Sequence, residues 1–284
     1  MRAMRADDPI LNNDGTPMPL MDIGVNLADK RFTDDLADVL ERAHAAGVQR
    51  QLVTGTTVAA SEAALAMALK HPDLWATAGI HPHHASDCNP QALSTLAELA
   101  RQPQVLAVGE TGLDFNRDFS PRPQQEKAFA EQLALACEVG KPAFLHQRDA
   151  HERFLPILRD FRDALPGVVV HCFTDNRRAL FDYLDMDCYI GITGWLCDER
   201  RGADLRALVP NIPADRLLVE ADCPYLLPRD LPDKPPVRGR NEPALLPWIV
   251  RALAACRGES SEAVARCSWA NSLRLFNPPG QSAW

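Results

Sequence analysis

Residues that can bind a metal ion occur at regular points along the chain. His146 and His171 each come directly after a short apolar run, and Glu110 and Asp222 come shortly after two others. His81 follows a further run, in the sequence His-Pro-His. Imidazole and carboxylate groups are common ligands of Zn²⁺ and Mn²⁺, and carboxylates also bind Mg²⁺. These residues therefore predict a divalent-metal site with positions left for water and substrate.

The apolar runs themselves predict eight β-strands. They occupy residues 20–25, 50–54, 75–80, 105–108, 142–145, 168–170, 189–193 and 216–219. Helical patterns such as 35–46 and 123–139 lie between them, each closed by a glycine of the type that ends helices. Eight strand–helix units in roughly 250 residues predict a single (β/α)8 TIM barrel. A doubly wound sheet needs fewer strands and usually carries a glycine-rich loop after an early strand, which is absent after the first run.

A barrel brings the carboxyl ends of all its strands to one mouth, however far apart they are in sequence. A lone histidine after an apolar strand is more often a structural residue. Four ligand-type residues in the same register, at the ends of different strands, instead favour a shared metal site. The proline-rich segment 226–236 follows the eighth run, so we expect it to be a long loop at the mouth.

Several other polar residues have simpler interpretations. Asp114 and Asp149 are expected to be structural groups that cap helices, and His83 is less certain as a functional residue than His81. Glu220 lies two residues before Asp222 and therefore on the same side of the strand, which leaves a secondary role open.

The domain boundaries follow from the first apolar run. We expect residues 1–19 to be a flexible N-terminal extension and residues 20–284 to form the barrel domain. The extension lacks the apolar segment of a signal peptide. The eight cysteines are scattered without a C-x-x-C pair, which predicts reduced thiols and a cytoplasmic protein.

Composition limits the possible partners. Acidic residues outnumber basic ones by 38 to 30, for a net charge of −8. That balance excludes a basic surface that coats duplex DNA, because such binding depends on many Lys and Arg side chains. A nucleic acid would have to be bound locally, through a bound cation. Apolar runs fall far short of the ~20 residues of a membrane helix, so no membrane partner is expected.

Six motifs, in order along the chain, resemble those of one family. They are GETGLDF (109–115), FLHQRDAHE (144–152), VVHCFT (169–174), YIGITGW (189–195), EADCPYLLPRDLPDKP (220–235) and RGRNEPA (238–244). From about residue 21 to 276 the chain resembles the TatD family of metal-dependent deoxyribonucleases. The resemblance implies a barrel of the amidohydrolase superfamily that cleaves phosphodiester bonds with Mg²⁺, or with Mn²⁺ or Zn²⁺. It further implies a monomeric 3′–5′ exonuclease on single-stranded DNA and RNA, with a role in DNA repair or nucleic-acid turnover.

The same resemblance implies roles for individual residues. Glu110 would bind or bridge the metal ions, His146 and His171 would bind one of them, and Asp222 would bind metal and take the proton of the attacking water. Four further residues would contact the substrate phosphate, a role that a guanidinium suits through its paired donors: His81, Arg148, Arg240 and Asn241.

One motif departs from the family pattern. Most members carry D-x-H-x-H after the first strand, and its two histidines bind metal. Here the motif begins with Asp22, and Gly24 and Asn26 take the places of the histidines. Glycine offers no ligand and asparagine only a neutral oxygen, so one of two metal positions is weakened. Such a site favours Mg²⁺ that binds together with substrate phosphate.

Two other classes of protein remain open at this point. One is a metal-dependent amidohydrolase acting on a small cyclic amide or ester, although many of these carry a carboxylated lysine where this chain has Glu110. The other is a barrel that binds a partner without catalysis. That class predicts loss of ligand residues, whereas Glu110, His146, His171 and Asp222 all remain.

Overall fold

A computed structural model describes residues 4–235 and 237–277. In this part of the chain, eight parallel strands form one sheet with sequential order β1 to β8. The strands are β1 (Leu20–Val25), β2 (Val48–Val53), β3 (Leu74–Ala78), β4 (Val105–Asp114), β5 (Ala143–Arg148), β6 (Val168–Val170), β7 (Tyr189–Ile192) and β8 (Leu217–Val219). The predicted TIM barrel is confirmed, because a doubly wound sheet would reverse its strand order partway along the chain.

The sheet closes between its first and last strands at their carboxyl ends. Backbone amides of Asn26 and Asp222 donate to the carbonyls of Cys223 and Gly24, both at 2.8 Å. The buried Asp22 carboxylate adds a further bond by accepting from the amide of Ala221 at 2.9 Å. Asp22 therefore joins β1 to the segment after β8.

Nine α-helices accompany the strands in the described residues. They are α1 (Leu36–Ala45), α2 (Val58–Lys70), α3 (Pro90–Ala100), α4 (Arg122–Val139), α5 (His151–Phe161), α6 (Arg177–Asp185), α7 (Ala203–Leu208), α8 (Leu246–Arg257) and α9 (Ser261–Phe276). Side chains of Thr57, Asn89, Asn176 and Ser260 cap α2, α3, α6 and α9 by accepting from the backbone amide three residues on. Gly140 ends α4 in the left-handed region, where glycine is favoured.

Two apolar clusters hold the barrel together. The larger cluster packs the strands against the surrounding helices. The second includes Met21, Ile23, Leu52 and Phe144 from the strands, together with Trp269 and its neighbours from the end of α9. A TIM barrel is thus filled by side chains rather than open along its axis, and the polar residues are left to its mouth.

Strand β4 is longer than the sequence predicted. The apolar run 105–108 marks only its first part, whereas the strand continues through Glu110 to Asp114. The reason is that Thr111 to Asp114 pair in register with Leu145 to Arg148 of β5. The extension places Glu110 within the strand rather than just beyond it.

The N-terminal segment differs from the expected flexible extension. Ile10 and Met18 are 3% and 4% exposed and belong to the larger apolar cluster. Arg251 of α8 donates to the carbonyl of Asp8 at 2.7 Å, and the amide of Ala6 donates to Asp233 at 3.2 Å. Residues 4–19 therefore pack on the barrel through buried apolar side chains that the sequence pattern did not reveal.

Two remaining points concern the C-terminal residues and the length of the helices. Residues 278–284, which the predicted barrel domain includes, lie outside the described residues. Within the described residues no helix combines the length and apolar character needed to cross a membrane.

Truncating Ile10 tests whether the N-terminal segment stabilises the barrel. Ile10→Ala leaves a cavity in a buried position, so we expect it to lower the free energy of unfolding by about 2–3 kcal/mol. Leu11→Ala is the matched control, because Leu11 is 47% exposed; its effect should stay within about 0.5 kcal/mol. Urea denaturation measures both, and equal effects would show that the segment contributes no buried packing.

Candidate metal centre at the barrel mouth

A cavity of about 570 Å³ opens at the carboxyl ends of the strands. Its lining brings together most of the predicted site residues: Asn26, His81, His83, Glu110, His146, Arg148, His171 and Asp222. These come from positions after β1, β3, β6 and β8 and from within β4 and β5. The barrel therefore unites residues that are up to about 200 positions apart in sequence.

Glu110 lies at the centre of the cluster. One of its oxygens, Oε1, is 2.8 Å from Nε2 of His171, 3.0 Å from Nδ1 of His146 and 3.2 Å from Nε2 of His81. Glu110 is only 6% exposed. A single carboxylate oxygen has too few lone pairs to serve three imidazoles well, so this arrangement is better suited to sharing a cation.

A short turn fixes the orientation of the His81 ring. His81 precedes a 3₁₀ turn over Pro82–Asp87, and its Nδ1 accepts from the backbone amide of His83 at 3.1 Å. Nδ1 is therefore the acceptor nitrogen, and Nε2 is the one directed at Glu110. The sequence His-Pro-His thus produces a local turn that presents one imidazole to the cluster.

Glu220 supports the cluster from behind. Its Oε2 lies 3.3 Å from Nδ1 of His171, and its Oε1 accepts from the amide of Cys172 at 2.5 Å. Metal-binding histidines commonly have such a carboxylate on their other ring nitrogen, which fixes the tautomer and orientation. The Glu220 side chain occupies the space above Gly24 and Gly191, where a Cβ on either glycine would overlap it.

Asp114 and His83 form a second layer beside His146. Oδ2 of Asp114 is 2.8 Å from Nε2 of His83 and 3.4 Å from Nε2 of His146. The latter contact is not aligned as a hydrogen bond, so the buried Nε2 of His146 has no partner among the described residues. An unpartnered buried nitrogen at this position is a further sign that the cluster is built for a ligand.

The electrostatics of the cluster fit a divalent cation. Burial raises the pKa of Glu110, but His81 and His171 outweigh it and hold that pKa well below its usual range. Burial opposes protonation of His171, yet Glu110 and Glu220 raise its pKa well above the usual value. His81 behaves differently, because burial lowers its pKa to about 4. The buried carboxylates are thus stabilised by neighbouring positive charge, which a metal ion can supply in place of the imidazole protons.

His81, Glu110 and His146 satisfy the distance requirements of a shared metal ion. His171 contacts the same Glu110 oxygen and joins them. The donor set of imidazole and carboxylate groups thus fits a divalent metal.

Asp222 lies in the same cavity but outside the group around Glu110. Its Oδ1 accepts from Nδ2 of Asn26 at 3.1 Å. Burial, together with the charges of Glu110 and Glu220, raises the pKa of Asp222 to about 7, while His171 acts in the opposite direction. Asn26 therefore donates from its amide nitrogen to Asp222 and supports this carboxylate. A metal contact of Asp222 remains a prediction.

The residues expected to contact phosphate divide into two groups. Arg148 lines the cavity, and its guanidinium lies 5.5 Å from the Trp195 ring centre without a carboxylate partner in the described part of the chain. Arg240 and Asn241 require a correction, because neither reaches the cavity. Arg240 pairs with Asp35 at 2.6 Å and Glu242 at 2.7 Å, beside α1.

Asn241 is fully buried, and its amide nitrogen donates to the carbonyl of Ala221 at 2.7 Å. Both residues therefore brace the loop after β8 instead of facing a substrate. Among its described residues, the proline-rich segment lines the mouth through Leu226 alone, while Asp233 contacts the N-terminal segment. Pro236 lies outside the described residues.

Two residues of the cluster were missed or underrated from the sequence. Asp114 caps no helix in the described part of the chain; it closes a turn by accepting from the amides of Asn116 and Arg117, and it also contacts the cluster. Its even spacing from Glu110 on one strand was the available signal. For Glu220 the signal was its even spacing from Asp222, with small residues at Gly24 and Gly191 opposite.

The fold and the site together define a metal-dependent hydrolase barrel. The sequence model of the family described as TatD related DNase matches residues 21–277. The chain belongs to this family, and its members' chemistry is hydrolytic cleavage of nucleic acid. Membership and the His–Glu cluster together indicate a divalent metal.

Individual relatives agree with this assignment. The chain is 51% identical to the 3′-5′ ssDNA/RNA exonuclease TatD of Salmonella typhimurium over 257 residues, covering 90% of this chain and 98% of the relative. It is 52% identical to the protein of the same name from Erwinia tasmaniensis, covering 91% and 100%. Among solved structures, YJJV, a TatD homolog from Escherichia coli K12, has a TM-score of 0.83 at 28% identity and covers 92% of this chain and 98% of its own.

The space between Gly24 and Glu220 provides a test of the support behind His171. In Gly24→Ala, the new Cβ must displace the Glu220 carboxylate, so we expect kcat/KM on single-stranded DNA to fall by about 10–100-fold, as for other groups that orient a metal ligand. Gly24→Ala/Glu220→Asp, with a shorter carboxylate, should recover part of the loss.

Gly167→Ala is the matched control for this prediction. Its Cβ also meets a side chain, that of Leu275, but at the opposite end of the barrel. It should lower the melting temperature while leaving kcat/KM unchanged. A fall in kcat/KM for both variants would contradict a specific role for Glu220.

Proposed function

We propose that the protein is a divalent-metal-dependent 3′–5′ exonuclease that hydrolyses phosphodiester bonds of single-stranded DNA and RNA. The observation that carries this proposal is the convergence of three imidazoles on one oxygen of the buried Glu110, at 2.8–3.2 Å. The substrate class and direction come from the names of relatives about 51% identical to the chain. The amidohydrolase alternative gains no support, because Glu110 stands where many such enzymes carry a lysine.

The residues around Glu110 would hold the metal. Glu110, His146 and His171 are the proposed ligands, and His81, whose Nε2 carries the ring proton, is placed to donate to the substrate phosphate. When bound, the ion would supply Lewis acidity at the phosphoryl oxygen and lower the pKa of a water molecule. Glu220 keeps the His171 ring oriented from behind.

Asp222 is the proposed general base. It faces the same cavity as the proposed ligands, and Asn26 fixes its carboxylate by a hydrogen bond of 3.1 Å. From this position Asp222 can hold the attacking water and take its proton as the new P–O bond forms and the P–O bond to the leaving sugar oxygen breaks, with that oxygen taking a proton from solvent. Arg148, with no carboxylate to neutralise it in the described residues, is placed to contact a phosphate oxygen.

The metal itself is proposed to be Mg²⁺, with Mn²⁺ and Zn²⁺ as competitors. The family resemblance places Gly24 and Asn26 in the histidine positions of the first strand, so a second ion would have fewer protein ligands there. Mg²⁺ commonly binds through few carboxylates together with substrate phosphates, which suits such a position.

The state of the cysteines bears on where the protein acts in the cell. All eight cysteines are free, as is usual in a reducing compartment, which supports a cytoplasmic location. There we propose that the protein acts as a monomer in nucleic-acid turnover, including DNA repair.

A labelled single strand tests the proposed activity. With single-stranded DNA labelled at its 5′ end, the protein and Mg²⁺ should give a ladder that shortens from the 3′ end, and a chelator should abolish it. Glu110→Gln removes the charge that gathers the three imidazoles, so the rate should fall at least about 100-fold.

His151→Gln is the matched control, because His151 is also buried but bonds to Tyr183 and Asp182 away from the mouth. It should keep the parent rate. An uncleaved strand with the parent protein in Mg²⁺, Mn²⁺ and Zn²⁺ would overturn the proposal.

A further inference from the structure

A second groove adjoins the metal cavity along the ends of β5, β6 and β7. Its volume is about 540 Å³, close to that of the cavity at the mouth. The two share four lining residues: Gln147, Arg148, Thr174 and Trp195. The groove is therefore a continuation of the site rather than a separate pocket, yet none of the proposed metal ligands lines it.

The groove combines an apolar wall with polar side chains. Trp195, Ala207 and Leu208 supply apolar surface, and Thr174, Asn176 and Asp204 supply hydrogen-bonding groups. This mixture matches a flat heterocyclic base, which needs an apolar wall for its faces and polar groups at its edges. The volume lies within the range of pockets that hold small ligands of that size.

The charges of the groove argue against a channel for the phosphate backbone. Two arginines, Arg148 and Arg177, are balanced by three carboxylates, at Asp149, Asp175 and Asp204. A series of phosphates would be repelled there, whereas a base carries no charge. The cation best placed for a phosphate is Arg148, which lies where the groove meets the metal cavity.

The surroundings of Trp195 hold the junction in place. Trp195 lies in a 3₁₀ turn after β7, capped by the hydroxyl of Thr193. Arg201 lies over its ring at 4.2 Å and is itself paired with Asp198 at 2.8 Å. Arg148 approaches the same ring at 5.5 Å. The indole therefore lies beside Arg148, which among the described residues is the one arginine that lines both spaces.

We propose that this groove is a subsite for one nucleobase of the substrate strand, on the 5′ side of the scissile phosphodiester. Arg148 contacts the phosphate that joins this nucleotide to the next. The groove has exposed residues at Arg177 and Ala207, so the rest of the strand can leave through it to solvent. This inference rests on the exonuclease activity proposed above. It adds where the substrate strand lies, and it explains why an oligonucleotide would bind better than a small phosphodiester.

Filling the groove tests the inference without touching the metal cluster. Ala207 is exposed on α7 and lines the groove, so Ala207→Trp places a bulky ring inside it. Ala203→Trp is the matched control, because Ala203 is exposed on the same helix but does not line the groove. Each variant is assayed with a single-stranded oligonucleotide and with bis(p-nitrophenyl) phosphate, a diester with no nucleotide to occupy the groove.

We expect Ala207→Trp to raise KM for the oligonucleotide by about tenfold, the size of one lost base contact, with kcat near that of the parent. The kcat/KM of Ala207→Trp on bis(p-nitrophenyl) phosphate should equal that of the parent protein. The control Ala203→Trp should have parent-like kcat/KM on both substrates. A parent-like KM for the oligonucleotide, or equal losses on both substrates, would overturn the subsite. A parent protein that cleaves neither substrate would instead overturn the exonuclease itself.

A second measurement needs no variant. For the parent protein, KM should fall by about tenfold from p-nitrophenyl thymidine 5′-phosphate to a dinucleotide carrying one more base on the 5′ side. Further lengthening should change KM much less. A KM that does not change between these two substrates would contradict a base-binding groove.

Discussion

The charge of a buried carboxylate is the constraint on which the barrel mouth depends. Glu110 is almost fully enclosed, and a carboxylate without compensation is costly in such a place. Three imidazoles approach one of its oxygens, and Glu220 and Asp114 in turn face two of those imidazoles. Negative groups thus surround the histidines, so the cluster is completed by positive charge, supplied either by protons or by a metal ion.

Gly24 and Asn26, near the end of β1, contribute to how this constraint is met. Because Gly24 has no side chain, Glu220 can extend over β1 and reach His171. Asn26 supports Asp222 and also donates to the carbonyl of Cys223 where the barrel closes. Gly24 thus leaves room for the Glu220 carboxylate, and Asn26 holds the Asp222 carboxylate in position.

The sequence allowed the barrel and most of the cluster to be predicted, because both depend on local patterns. Short apolar runs marked all eight strands, and ligand-type residues at their ends marked the mouth. What failed depended on partners distant in sequence. Arg240 sits in a motif loop, but only the fold shows that Asp35 and Glu242 neutralise it. Likewise, Ile10 looks like part of a polar extension until the barrel surface that buries it is known. Asp114 was expected to cap a helix, but it closes a turn at the end of β4 and contacts the cluster, because β4 extends further than its apolar run.

The most direct test of the central claim is the position of a bound ion. Crystals grown with Mn²⁺, with data collected at its absorption edge, would locate the ion by its anomalous scattering. We predict a peak that contacts Glu110, His146 and His171 in the parent protein and is lost in Glu110→Gln. A peak that persists in the variant, or an ion bound elsewhere while the Glu110 cluster stays empty, would contradict the role given to this carboxylate.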